Sequence, residues 1–293
     1  MKADPTVIRA PEPARMHAMT VDVWMQHPTL RFLRHEMFES LRRWTGQELP
    51  ADELSIDLTI AAMDEAEISF GLLSAWQAPE GQLIGNDEVA GWVAQRPDRF
   101  AGLAAADLAK PMSAVRELRR CVEELGFKGL RVIPWLWEAP PTDRRYYPLY
   151  ATCVELGVPF CTQVGHTGPM RPSETGRPIP YIDQVALDFP ELAIVCGHIG
   201  YPWTEEMVAV ARKHENVFID TSAYTAKRYP PELVRYMTTR SGRRKVMFGS
   251  NYPMIAPEAA LADLDSLQLD DEARELFLAD NARRVFGLDA TAQ

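Results

Sequence analysis

The chain has 293 residues, 46% of them hydrophobic, with 31 Lys and Arg against 41 Asp and Glu, a formal net charge of −10. That length can bury a large core as one barrel-sized domain, and the negative charge opposes nucleic acid, whose binding depends on Lys and Arg neutralising phosphates. No stretch approaches the roughly 20 uninterrupted apolar residues of a membrane-spanning helix, and the segment from Met1 to Met19 has prolines and charges but no apolar signal-like core. The expectation is a cytoplasmic protein with neither nucleic-acid nor membrane partners.

In chain order, residues 1–18 read as an arm, and strands are predicted at 19–23, 68–74, 101–105, 129–133, 159–164, 193–196, 217–220 and 245–248. Between the first two, Leu33, Met37, Leu41 and Trp44 recur at helical spacing. They predict an added helix over 30–44 that packs on the barrel rim of its own domain, with a subunit contact as the alternative. A second helix is predicted over 112–125, where Val115, Leu118, Val122 and Leu125 share a face, and a third over 147–156. Gly126 and Gly157 sit where a left-handed cap is wanted, and Pro111, Pro148 and Pro231 lie near helix starts. Eight strands alternating with helices predict an α/β fold, a single-domain (β/α)8 TIM barrel over 19–288 with a tail at 289–293. An open doubly wound sheet is the runner-up. Cys121, Cys153, Cys161 and Cys196 have no C-x-x-C spacing and sit in apolar surroundings, so they read as buried free thiols.

A barrel of this kind builds its site at the C-terminal ends of its strands. Those ends read Trp24-Met25-Gln26-His27, Pro134-Trp135-Leu136-Trp137-Glu138, Gly165-His166-Thr167-Gly168, Gly197-His198-Ile199-Gly200, Asp220-Thr221-Ser222 and Gly249-Ser250-Asn251-Tyr252-Pro253. Two histidines and an amide thus converge on the mouth. Asp22, Trp24 and Gln26 share one strand face, with Asp22 lower in the barrel. Asp220 and Glu138 are carboxylates that burial could hold protonated. Arg131 lies inside a strand and needs an anion, either an internal carboxylate or that of a substrate. The segment 166–180, with Arg171, Glu174 and Arg177, has the length of a binding loop or of a solvated surface loop. Trp24, Trp135, Trp137, Tyr181, Tyr201, Trp203 and Tyr224 near strand ends suit a flat organic acid or aromatic ring, although aromatics also simply pack. His17, His35 and His214 read as arm or helix-surface residues.

In that order the G-H-T-G and G-H-I-G turns, I-D-T-S, G-S-N-Y-P and the closing N-A-R-R-V-F-G resemble the amidohydrolase-related family. The branch is the one similar to aminocarboxymuconate-semialdehyde decarboxylase, and the likeness runs over nearly the whole of 21–288. In that family an H-x-H pair follows the first strand, two further histidines follow the fifth and sixth, and an aspartate after the eighth serves as metal ligand and general base. The resemblance places the H-x-H positions on Trp24 and Gln26, the later histidines on His166 and His198, and the aspartate on Asn251. Indole offers a single N–H, and a carboxamide oxygen is a weak neutral ligand. The resemblance therefore implies a rewritten metal centre. One weakly held divalent ion, Zn or Fe, would rest on His166 and His198 with His27 or Gln26, or there would be none. It implies a hydrolase or decarboxylase for a small carboxylated or cyclic substrate. His166, His198 and Asn251 would be catalytic, and Trp24, Gln26, Arg131, Glu138, Arg171 and Arg177 would bind substrate. The alternative is a non-catalytic companion subunit, hetero-oligomeric with a metal-replete paralogous barrel that performs hydrolysis, decarboxylation or metal-dependent oxidation. A homo-oligomer is the other assembly it allows.

Overall fold

Parallel strands buried on both faces read in sequence as near-continuous apolar runs, and that is what the predicted strands become. A computed structural model of the chain describes residues 19–46 and 49–288, so the expected arm at 1–18 and tail at 289–293 lie outside the described residues. In chain order the strands are β1 Val21–Met25, β2 Phe70–Ser74, β3 Trp76–Ala78, β4 Gly81–Ile84, β5 Phe100–Leu103, β6 Leu130–Val132, β7 Phe160–Gln163, β8 Ile194–Gly197, β9 Val217–Asp220 and β10 Val246–Met247. Hydrogen bonding orders them β1-β2-β5 and β6-β7-β8-β9-β10, all parallel. A bridge between Ala104 and Leu130 joins the two sets on one side. On the other, Met25 bridges Tyr252 and Val23 N–H donates to the Phe248 carbonyl at 3.1 Å. The ring is closed, which rules out the open doubly wound sheet.

Register sorts the strand residues by face. Val21, Val23, Phe70, Leu72, Ala101, Leu103, Cys161, Val195, Phe218 and Met247 form one cluster, joined by Ala282 and Phe286 from the C-terminal helix Asn281–Phe286. Their neighbours of opposite parity, such as Leu130, Phe160, Ile194 and Val217, pack with helix residues including Tyr150, Cys153, Met207 and Leu233. This alternation is the two-residue strand period seen from both sides of a barrel wall. The helix Pro111–Glu123 buries Ala114, Leu118 and Cys121, and Tyr147–Leu156 ends on Gly157 at φ 65°, close to their predicted bounds. Among the described residues no helix is long and apolar enough to cross a membrane.

Two expectations need correction. Residues 30–44 do not form one helix. Thr29 caps a short helix Leu30–Leu33 by accepting from Phe32 N–H at 3.1 Å, and His35 then turns extended and caps a new turn, Glu36–Phe38, before the helix Glu39–Thr45. The break lets Phe32 and Phe38 both reach Trp76, with Phe32 at 4.7 Å from Phe38 and 5.0 Å from Trp76. The antiparallel hairpin β3–β4 that carries Trp76 was not foreseen, although the Pro79-Glu80-Gly81 turn between its strands is legible. Segment 166–180 is also not structureless, since it holds a helical turn at Glu174–Gly176 and the start of another at Pro178–Ile182.

Candidate active site

β1 bulges between Asp22 and Met25, and Trp24 fills the barrel at that level. It can do so because the facing strands carry glycine there. A Cβ on Gly197 would lie 2.3 Å from the indole, and one on Gly249 would lie 3.2 Å from the Trp24 Cβ. Trp24 is 0% exposed, with the Arg131 guanidinium 3.8 Å from its ring centroid and the His198 ring at 4.7 Å. Where the resemblance puts the first metal-binding imidazole, an indole packs instead. Trp24 is therefore a wall of the site rather than the substrate contact expected for it.

Gln26 is equally committed. Its amide nitrogen donates to the Tyr252 carbonyl and, at 3.5 Å, to Asn251 Oδ1, while its oxygen accepts from Trp76 Nε1 at 3.3 Å. His27 is turned away from the mouth altogether. Its Nε2 meets the Leu54 carbonyl at 2.9 Å and its Nδ1 the Thr59 hydroxyl at 2.7 Å, so Nε2 carries the proton and Nδ1 accepts. Burial lowers its pKa. Both nitrogens are spent, and His27 leaves the candidate ligand set.

Arg131 is buried inside the barrel. It is 2% exposed, Nη2 donates to the Val23 carbonyl at 2.7 Å, and Nε and Nη1 have no protein partner. The carboxylates of Asp22 and Asp220 are near enough to act on it electrostatically but not to form an ion pair. Each keeps one oxygen without a protein partner. Asp22 Oδ1 accepts from Trp24 N–H and Ser250 N–H, both at 3.0 Å, yet burial pushes its pKa up to about 7. Asp220 is also raised by burial, with Ser222 and Arg131 opposing the shift.

At the mouth itself His166 is exposed. Gly165 at φ 92° lets the chain turn against the Tyr201 carbonyl, which would lie 2.6 Å from any Cβ there, and that carbonyl accepts from His166 N–H at 2.7 Å. Tyr224 Oη stands 3.4 Å from His166 Nε2, and the Tyr201 ring lies 5.7 Å from the imidazole and 5.9 Å from Tyr224. His198 is half-buried at φ 69°, an uncommon conformation for a residue with a side chain and one found at functional sites. Its Nδ1 is 2.7 Å from Ser222 Oγ. Burial, with the charges of Arg131 and His166 adding, pulls its pKa down to about 3, so His198 is a neutral imidazole near pH 7. Asn251, at φ 74°, donates its backbone N–H to the Trp24 carbonyl at 2.9 Å. It borders the site through the Gln26 amide.

The loop cations are paired. Arg171 meets Glu138 at 3.3 Å and Glu36 at 3.7 Å, and beside it Ser40 Oγ donates to the Gly168 carbonyl at 3.1 Å. Three segments are thereby tied across the rim. Arg177 is bound through two nitrogens to Glu206. Ser222 received no role from sequence reasoning, and Tyr224 was read only as one of the aromatics near strand ends. The signal for Ser222 was its place two residues after Asp220, where a carboxylate commonly folds back on the chain.

Among the described residues no group of three or more His, Cys, Asp or Glu side chains could hold a metal ion. The donor set gives the chemical reason. An indole fills one position, two amides bond each other and their neighbours, and the remaining imidazoles have no carboxylate among them. These residues do not fit the divalent centre that the resemblance implies.

A closed barrel with histidines and tyrosines at the C-terminal ends of its strands has the architecture in which barrel enzymes build their sites. The chain belongs to the amidohydrolase family, whose profile matches residues 46–288. It is 30% identical to a gamma-resorcylate decarboxylase of Rhodococcus jostii, over 83% of this chain and 91% of the relative. A TIM-barrel protein of Bordetella bronchiseptica superposes with a TM-score of 0.79 at 24% identity, covering 92% and 98% of the two chains. A dihydroxybenzoic acid decarboxylase of Polaromonas with bound manganese and 2-nitroresorcinol gives 0.68 at 20% identity, covering 94% and 98%. The relatives support an enzyme of lyase type.

Proposed function

We propose that this protein is a carbon–carbon lyase that decarboxylates a small carboxylated aromatic and needs no tightly held divalent ion. The reaction class rests on the decarboxylase relatives and the ring-shaped substrate on the His166, Tyr201 and Tyr224 surface. The observation that carries the metal-poor reading is Trp24 packed over Gly197 where an imidazole ligand would stand. Decarboxylation of a hydroxylated aromatic acid needs a proton taken from the hydroxyl and one delivered to the ring carbon that loses carbon dioxide. His166 at the exposed mouth can carry those protons, neutral His198 can accept a hydrogen bond from the hydroxyl, and Tyr224 can help orient the ring.

The test is carbon dioxide release by purified protein from a panel of hydroxybenzoates, before and after chelation, beside elemental analysis. Expected are less than one transition metal per chain, chelator-insensitive turnover, and a loss of about a hundredfold or more in kcat/KM for His166→Ala and for His198→Ala. Two stoichiometric ions, or turnover that returns only when metal is added, would overturn the metal-poor reading. A second reading, a companion subunit that does not catalyse, draws on the same filled barrel centre. Inactivity across the panel, together with recovery of a second barrel chain when the protein is isolated with its genomic neighbours, would favour it.

A further inference from the structure

The segment after β9 folds back so that Asp220, Ser222 and His198 lie in one hydrogen-bonded line, and counting donors along that line fixes a proton. Asp220 Oδ1 accepts Ser222 N–H at 3.0 Å, so that oxygen serves as an acceptor whether or not the carboxyl is ionised through its other oxygen. Ser222 Oγ also donates to Asp220 Oδ1. A hydroxyl has one hydrogen, and this contact uses it. What remains on Ser222 Oγ is acceptor capacity, and two groups face it: His198 backbone N–H at 3.2 Å and His198 Nδ1 at 2.7 Å. The second is a hydrogen bond only if Nδ1 carries a proton. Neutral imidazole has one N–H, so Nε2 is left with a lone pair, and among the described residues nothing hydrogen-bonds it.

We infer that Asp220 and Ser222 are positioning residues that hold His198 as its Nδ1–H tautomer and present a bare Nε2 lone pair to the substrate as the hydrogen-bond acceptor for its hydroxyl. The inference rests on the lyase reading and deepens it by naming the group that orients the substrate hydroxyl. Ser222 and Nδ1 each keep their own hydrogen, so the task of the line is orientation. The backbone supports the same end. Gly197 leaves room for Trp24, whose ring then stands 4.7 Å from the imidazole and limits its rotation.

The tautomer is read directly by nitrogen-15 NMR of histidine-labelled full-length protein near neutral pH, with His198→Gln used for assignment. Wild type should show a pyridine-type Nε2 and a pyrrole-type Nδ1 for His198. In Ser222→Ala the two nitrogen shifts should move towards each other as the tautomers mix, and Ser222→Thr, which keeps the hydroxyl, should restore the wild-type pattern. A protonated Nε2 in wild type, or an unchanged tautomer in Ser222→Ala, would overturn the relay. With a turned-over substrate in hand, Ser222→Ala should lower kcat by about tenfold to a hundredfold at little-changed KM, with Ser222→Thr rescuing it. The NMR needs no substrate. The predicted tautomer without any lyase activity would sink the proposed reaction and leave the relay standing, whereas activity with the opposite tautomer would sink the relay alone.

Discussion

Asp22 shows how one residue carries both a packing solution and a pH dependence. Its carboxyl accepts two backbone N–H groups from Trp24 and Ser250, which favours the anion, but burial outweighs them and raises the pKa from 3.8 to about 7. A carboxyl that binds its proton more tightly folded than unfolded contributes stability below pH 3.8 that is lost as pH rises through 7. Asp22→Asn keeps the acceptor oxygen and cannot ionise. Its stability should therefore fall less than that of wild type between pH 4 and pH 8, by an amount on the order of a few kcal/mol at most. Urea midpoints of both proteins at those pH values decide it, and parallel profiles would contradict the assignment. Asp22 lies in β1, in the first predicted strand. Its proton affinity was not legible, because Ser250 comes from 228 residues away.

Between elements, the decisive contact is β1 against β8. Trp24 occupies the space that a side chain at Gly197 would need, and a Cβ there would stand 2.3 Å and 2.5 Å from two ring carbons and 2.9 Å from Asp220 Oδ2. Gly197→Ala should therefore cost about 1–3 kcal/mol of stability, the usual range for overpacking a core. Adding Trp24→Leu should recover part of that loss, so that the double variant is less destabilised than the sum of the singles. Strictly additive denaturation free energies would mean that the ring moves aside freely. The same scale explains what the strand-end reading missed. Spacing along β1 put Trp24, Gln26 and His27 near the mouth, but Thr59 and Leu54 draw His27 outward and Trp76 on the unforeseen hairpin takes the Gln26 oxygen. Those partners lie on other elements, and no local pattern announces them.

For the whole molecule, closure of the barrel leaves its four cysteines buried and free. Burial pushes the thiols of Cys121 and Cys161 up to about 12 and those of Cys153 and Cys196 higher still. A thiol reagent should find almost no fast-reacting group in native protein and four in denaturant, because the thiolate is the reactive form. Fast native labelling would show that the barrel opens locally. The sequence by itself determined eight strands alternating with helices, the placing of His166 and His198 at strand ends and the uncharged residues at positions 24, 26 and 251. Apolar runs, helix spacing and residue identity are all local properties written in the chain. Only the tertiary structure decided that Trp24 fills the centre, that Arg131 is buried against the Trp24 ring, that His27 is excluded and that Ser222 links Asp220 to His198. Each of those outcomes depends on which atom from a distant strand reaches a given donor or void first, and that is a property of closure in three dimensions.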